Sequence, residues 1–277
     1  MNASSGAKAR LRKLQCFVAC VVVALSASAG AHETWLQPST HAAATGKSVR
    51  FDLTSGMDFP KLEHAIERDR VASAAFRSAG STGTLGAPKR GAKALNWNHA
   101  FAKPGLATVW VDLQPKGIAL TPDKVDEYFA EINASAAVRA TWKALPMGTQ
   151  WNEMYTKHAK TYVRVGDEAG DESWKVPAGM SLEIVPLSDP TRVRVGDTLR
   201  VSLLRSRFPL PRTSVGLMIE GDAKRTFAAT DDTGVASFPI TRAGSALIYA
   251  VDLRPGSQRS SWESDFATLT LTFEAAK

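Results

Sequence analysis

Cysteine occurs at only two positions, Cys16 and Cys20, and both fall within the first 25 residues of a 277-residue chain. If that stretch is a cleaved leader, the remaining chain has no thiolate to ligate a soft metal and none to close a disulfide, so core burial alone must hold the fold. Long apolar runs are equally scarce. Cys16 to Leu25 supplies roughly 10 apolar residues, about half of the ~20 a spanning helix needs, and no later segment approaches that length. The chain also lacks a G-x-S-x-G, an H-E-x-x-H and a phosphate-binding glycine loop, leaving hydrolase and nucleotide chemistry without a motif. The formal charge of +7 shrinks once Lys8, Arg10, Arg12 and Lys13 are set aside, to about 30 basic against 27 acidic side chains. Nothing there calls for nucleic acid.

Residues 1–31 read as a bacterial secretory signal peptide: a basic start without acids, the apolar run, then small residues from Ser26 to Ala31. Cys20 lies inside the apolar run with no leucine three positions before it, which does not fit a lipidation site. The expectation is a periplasmic protein, soluble and without a transmembrane segment after cleavage. Two overlapping A-x-A sites, Ala27-Ser28-Ala29 and Ala29-Gly30-Ala31, each bring His32 within two residues of a new α-amino group.

Beyond His32 the pattern is mainly β. Val49, Phe51 and Leu53 alternate with Arg50 and Asp52, and Val109, Val111 and Leu113 repeat the period of two that marks a half-buried strand. Ser78 to Lys93, rich in Gly, Ser, Ala and Lys, reads as a loop. Thr121 as N-cap and Pro122 at the first helical position open a helix whose apolar face is Val125, Tyr128, Phe129, Ile132 and Ala136. A second short helix is predicted from Trp151 to about Lys160. From Ser181 onward about seven short strands follow, separated by turn signals such as Asp231-Asp232-Thr233-Gly234. The predicted organisation is two β-sandwich domains: 32–175, with a helical insertion around 121–160, and 180–277, an immunoglobulin-like sandwich. The boundary falls in Gly166 to Gly179, where Gly, Asp, Glu and Pro cluster.

His32 is the leading candidate for chemistry. Cleavage after Ala29 would give Gly30-Ala31-His32, whose amine, two peptide nitrogens and imidazole can surround Cu(II) or Ni(II) in a plane. Cleavage after Ala31 would make His32 a bidentate amine and imidazole ligand, with a second histidine completing a brace-like copper site. Reference pKa values of about 8 for the amine and about 6.5 for the imidazole leave both lone pairs accessible near neutrality. The plain alternative is a polar residue at a frayed terminus. Glu33 could add a carboxylate oxygen or simply be solvated. His99 is the first choice for a distant ligand, against the plainer reading of a surface histidine on a β edge. His41, His64 and His158 read as surface residues. Glu263 and Asp265, two apart on a strand, share a face and suit either a cation site or an interdomain clamp.

Four segments carry a resemblance. Ala31-His32-Glu33-Thr34-Trp35-Leu36-Gln37-Pro38 resembles the A-H-x-x-W-L-x-P opening of the DUF4198 family, and Leu120 to Tyr128, Tyr155 to Lys160 and Trp262 to Thr270 resemble its later segments in the same order. The resemblance implies a periplasmic protein with an immunoglobulin-like or prealbumin-like C-terminal module, linked in some members to nickel, cobalt or copper. It also favours cleavage after Ala31. The resulting expectation is a binding protein rather than an enzyme: a Ni, Co or Cu binding or delivery accessory of a membrane metal-transport component, with His32, Glu33 and His99 as metal ligands. The alternatives are a brace-type oxidative copper enzyme and a non-metal interaction or adhesion module.

Overall fold

A computed structural model describes residues 32–167, 170–258 and 261–276. The expected signal peptide, 1–31, and both candidate cleavage sites lie outside the described residues. The chain is mostly β, as its alternation requires, and its strands form three sheets. In the first sheet Ser48–Gly56 is central, flanked by Glu33–Pro38 on one side and by Leu95–Ala100 and the two-residue His64–Ala65 on the other. The second is a ten-stranded sheet that runs from Thr226–Ala229 and Ser214–Ile219 through Gly244–Pro255, Ser261–Phe273, Trp151–Val165 and Gly105–Leu113 to Val71–Ser78 and Ser81–Thr84. The third, four-stranded sheet is built around Thr198–Arg205.

The long sheet is shared. Against its N-terminal part, Leu36, Val49, Phe51, Leu53 and Trp97 of the first sheet pack on Ala107, Val109, Val111 and Val163. Toward its other end, Ile184, Leu199, Val201 and Leu203 of the third sheet pack on Val215, Ile248 and Leu269. Each fully buried large apolar side chain contributes roughly 1.5–3 kcal/mol, so neither layer needs a covalent staple. The two hydrophobic cores do not divide at one point of the chain: Leu106, Tyr162 and Trp174 join the core that the third sheet covers, and the ten-stranded sheet runs through both.

The strands expected at Val49 to Leu53 and Val109 to Leu113 form as Ser48–Gly56 and Gly105–Leu113. All seven expected C-terminal strands form, between Leu182–Pro186 and Ser261–Phe273. The expected loop at 78–93 instead contributes a strand, Ser81–Thr84, that turns back on Val71–Ser78. The first helix, Pro122–Glu131, begins where Thr121 and Pro122 place it. It ends near Ile132, where Asn133 takes a positive φ of 48°, and a second helix, Ala136–Lys143, starts under the Ser135 hydroxyl, which accepts from the Val138 amide at 3.2 Å. Val125, Tyr128 and Phe129 dock the first helix on Trp151 and Trp262, whose rings stack with centroids 4.5 Å apart.

The helix expected over Trp151 to Lys160 is corrected: the segment is the first part of one 15-residue strand, Trp151–Val165. It pairs in parallel with Ser261–Phe273 from Asn152 opposite Ser261 to Thr161 opposite Thr270. The spacing of Trp151, Met154 and Tyr155 imitates a helix only because Glu153, a polar residue, takes a core position. Glu153 is buried and its carboxylate accepts from Tyr128 Oη at 2.8 Å and Trp151 Nε1 at 2.7 Å, which meets its hydrogen-bonding needs out of water.

Candidate functional site

His32 precedes the first strand, and antiparallel register fixes what lies beside it. Thr34 faces Ser55 across one ladder and Ser55 faces His64 across the next. Residues two apart on a strand share a face, so His32, Thr34, Ser55 and His64 are presented on one side of the sheet. The His32 and His64 rings meet edge to face with centroids 5.9 Å apart. Below them the Thr34 and Ser55 hydroxyls are 3.3 Å apart, and Ser55 donates to the Glu33 carbonyl at 3.0 Å. Lys157 of the long strand donates to the His32 carbonyl. Burial, the nearby Lys157 ammonium and His64 push the His32 imidazole below its ordinary value, toward the neutral form that has a free nitrogen lone pair.

The three residues read from the sequence as ligands do not converge. Glu33 points to the opposite face from His32 and pairs with Arg225 at 2.6 Å, both side chains being largely buried. Burial pushes the Glu33 carboxyl up, and the adjacent guanidinium pulls it back. The guanidinium also lies over the Tyr249 ring, 4.8 Å from its centroid. His99 faces Val49, whereas Glu33 faces Gly56; seven strand positions, about 23 Å at ~3.3 Å each, separate those levels of the sheet. There His99 packs against Phe76 at 4.1 Å and Phe101 at 4.7 Å between ring centroids. The histidine brought to His32 is His64, one of those expected to be plain surface. His64 lies on a two-residue strand, too short to show any alternation in the sequence.

His158 departs further from expectation. It is buried, with Nδ1 2.7 Å from Asp112 Oδ1 and Nε2 3.1 Å from Asp265 Oδ1. Ser181 adds its hydroxyl, 2.8 Å from Nε2, and donates to Asp265 at 2.5 Å. Serine, histidine and aspartate thus meet as they do in a nucleophilic triad, but a second carboxylate shares the serine-side nitrogen. Although burial opposes it, hydrogen bonds donated to Asp112 and Asp265 raise the His158 pKa, which favours an imidazolium over the neutral base a serine nucleophile requires. Asp265 is held down at about 2 by His158, Ser181 and Arg254 despite its burial. Arg254 reaches Asp265 at 2.9 Å and Glu263 at 3.5 Å, so the cation between those two carboxylates is a guanidinium of the chain itself. His41 is also inward: its Nδ1 is 3.0 Å from the Tyr162 carbonyl, and burial drives its pKa to about 4.

Among the described residues no group of three or more His, Cys, Asp or Glu side chains converges as a metal cage, and no helix is long and apolar enough to cross a membrane. No curated protein matches the chain. Among solved structures, murine CEACAM1b overlaps 88% of this chain and 100% of its own at 9% identity and a TM-score of 0.21. A bacterial ice-binding adhesin, described for host cell surface retention, overlaps 88% of this chain and 65% of its own at 10% identity and a TM-score of 0.23. The family model for a domain of unknown function, DUF4198, matches residues 29–252, a span that takes in His32, His64, Lys157 and His158. The chain belongs to the DUF4198 family.

Proposed function

We propose that this protein binds a borderline divalent metal ion, copper or nickel before cobalt, through His32 and His64, and serves as an exported metal-binding or delivery accessory of a membrane uptake system. The observation that carries the reading is the 5.9 Å separation of the two imidazoles. Two imidazoles on one ion place their ring centroids at most about 6.4 Å apart, given nitrogen–metal distances of ~2.0–2.1 Å. The spacing therefore suits a shared ion with only rotamer adjustment.

Cleavage after Ala31 would supply the third nitrogen, the α-amine of His32, beside its own imidazole. An all-nitrogen set of this kind is matched to Cu(II) and Ni(II) rather than to Ca(II) or Mg(II). Depression of the His32 pKa reduces competition from protons, and the Lys157 hydrogen bond to the His32 carbonyl holds the terminal residue in place for ligation. Bound copper would supply redox chemistry, so the brace-type enzyme is the second reading, favoured by the same amine-plus-two-imidazole set. It separates from the first by consumption of dioxygen in the presence of a reductant.

The test is intact-mass determination of the exported protein followed by calorimetric titration with Cu(II), Ni(II) and Co(II). One equivalent bound by wild type, and at least a tenfold weaker fit for His32→Ala and for His64→Ala, is the expected result. Equal binding by wild type and His64→Ala overturns the reading.

A further inference from the structure

Beside the two histidines an open pocket of about 210 Å³ lies between the first sheet and the long strand. Three basic side chains line it: Arg70, Lys116 and Lys157. The ammonium of Lys157 is desolvated, and the charges of Glu33 and Glu153 reach it as well as those of Arg70 and Lys116. Like charges lining one pocket repel one another, and an anion between them relieves the cost. The neighbouring carboxylates are otherwise engaged. Glu33 is paired with Arg225, Glu153 with Tyr128, Trp151 and Ser264, and Glu67, which also lines the cavity, with Arg90 at 2.6 Å. Arg70 Nε is buried and has no hydrogen-bond acceptor among the described residues.

The walls narrow the kind of anion. Ala65, Ile66, Leu113 and the Tyr155 ring supply apolar surface, while the Thr34 and Ser55 hydroxyls are engaged with each other and with the Glu33 carbonyl. The Arg70 guanidinium and the Lys157 ammonium both lie over the Tyr155 ring, 5.7 and 5.4 Å from its centroid. A guanidinium takes a planar carboxylate in a bidentate fork, and apolar walls favour an anion with a carbon skeleton over inorganic phosphate.

We infer that this cavity is a binding site for a small organic carboxylate, held by Arg70, Lys157 and Lys116. The site stands without any metal. Its position deepens the metal reading and, in that respect, rests on it: Thr34, Ser55 and Ala65 line the cavity and adjoin His32 and His64 in register. A carboxylate seated there is placed to accompany an ion on the two imidazoles, so the accepted species would be a metal carboxylate complex rather than a bare ion.

The experiment titrates metal-stripped, exported protein with citrate, malonate and inorganic phosphate by calorimetry, then repeats citrate with Cu(II) present. The expected result is saturable binding of citrate or malonate without metal, weakened at least tenfold in Arg70→Gln and at least threefold in Lys116→Gln, with phosphate weaker than either. Lys116 is exposed, so its variant keeps the test valid should Arg70→Gln fail to fold. Absence of carboxylate binding at 10 mM probe, tighter binding of phosphate, or unchanged affinity in folded Lys116→Gln and Arg70→Gln overturns the inference. His64→Ala separates the two sites: it is expected to abolish the copper signal and retain citrate binding. Citrate binding enhanced by Cu(II) in wild type identifies the complexed form as the ligand, and equal binding with and without Cu(II) identifies the free carboxylate.

Discussion

Lys157 donates its ammonium hydrogen to the main-chain carbonyl of His32, tying the longest strand of the large sheet to the residue that opens the first strand. The contact fixes the main chain where it enters the first strand. Lys157→Met keeps the stem's packing and deletes the hydrogen bond. It is expected to weaken copper binding about tenfold with little loss of thermal midpoint, because Lys157 is in no salt bridge among the described residues and its loss removes the cost of desolvating an ammonium. Calorimetry and thermal denaturation on one sample check both halves.

Glu33 and His99 separate the structural reading from the sequence reading. Glu33→Gln leaves Arg225 without its buried partner and is expected to cost about 3 kcal/mol of stability while leaving metal stoichiometry unchanged. His99→Ala removes ring contacts with Phe76 and Phe101 and is expected to leave metal affinity within twofold of wild type. Urea unfolding and metal titration of the two variants decide the matter. Loss of metal from either would return the ligand set to the one first read from the chain.

The His158 cluster predicts a stability profile that falls on both sides of mildly acidic pH. Asp265 has a folded pKa of about 2, below an unfolded value of about 3.9, so its contribution is present above about pH 4 and fades as pH falls through about 2; the difference is worth about 2–3 kcal/mol. The His158 pKa is raised, so its contribution is complete below about pH 6.5 and fades as pH rises through the folded value. Asp112, Asp265 and the Ser181 hydroxyl contact the ring directly, with Arg254 behind Asp265. Urea midpoints across pH 2–9 should trace this shape, and His158→Gln should flatten the alkaline arm. A His158→Gln profile parallel to wild type would contradict the assignment.

Trp262 stacks on Trp151 beneath the first helix. Trp262→Ala opens a cavity there and is expected to cost about 3–5 kcal/mol, with loss of amide protection concentrated in Pro122–Glu131. Hydrogen exchange with mass detection locates the effect. Uniform loss of protection would mean the helix is not docked by that stack.

Strands whose inward positions are aliphatic were legible residue by residue, as Val49, Phe51 and Leu53 and the seven C-terminal strands show. The long strand was not, because Glu153, His158 and Lys160 are buried and break the apolar code; hydrogen-bond partners from distant segments settle them there, and no local pattern announces such partners. The same reason hid half of the candidate site. His32 was marked by its place after the expected leader, but His64 reaches it only through the register of Ser48–Gly56 with both flanking strands. His99 has the more strand-like neighbourhood in the sequence, yet the register places it at the far end of the same sheet.

The pairing of Trp151–Val165 with Ser261–Phe273 also bears on the order of assembly. The final strand of the chain lies in the interior of the ten-stranded sheet, between a partner just before it and one more than 100 residues earlier. Parallel contacts at such separation form late, since the intervening chain must close a large loop before they are gained. Until Ser261–Phe273 arrives, Trp151–Val165 and Gly244–Pro255 each present an open edge, and the Thr268 and Thr270 hydroxyls that hold the carbonyls of Thr34 and Leu36 are absent. The first strand, and with it the place of His32, is therefore locked by Ser261–Phe273, so the metal site proposed above would be complete only once that strand has been incorporated.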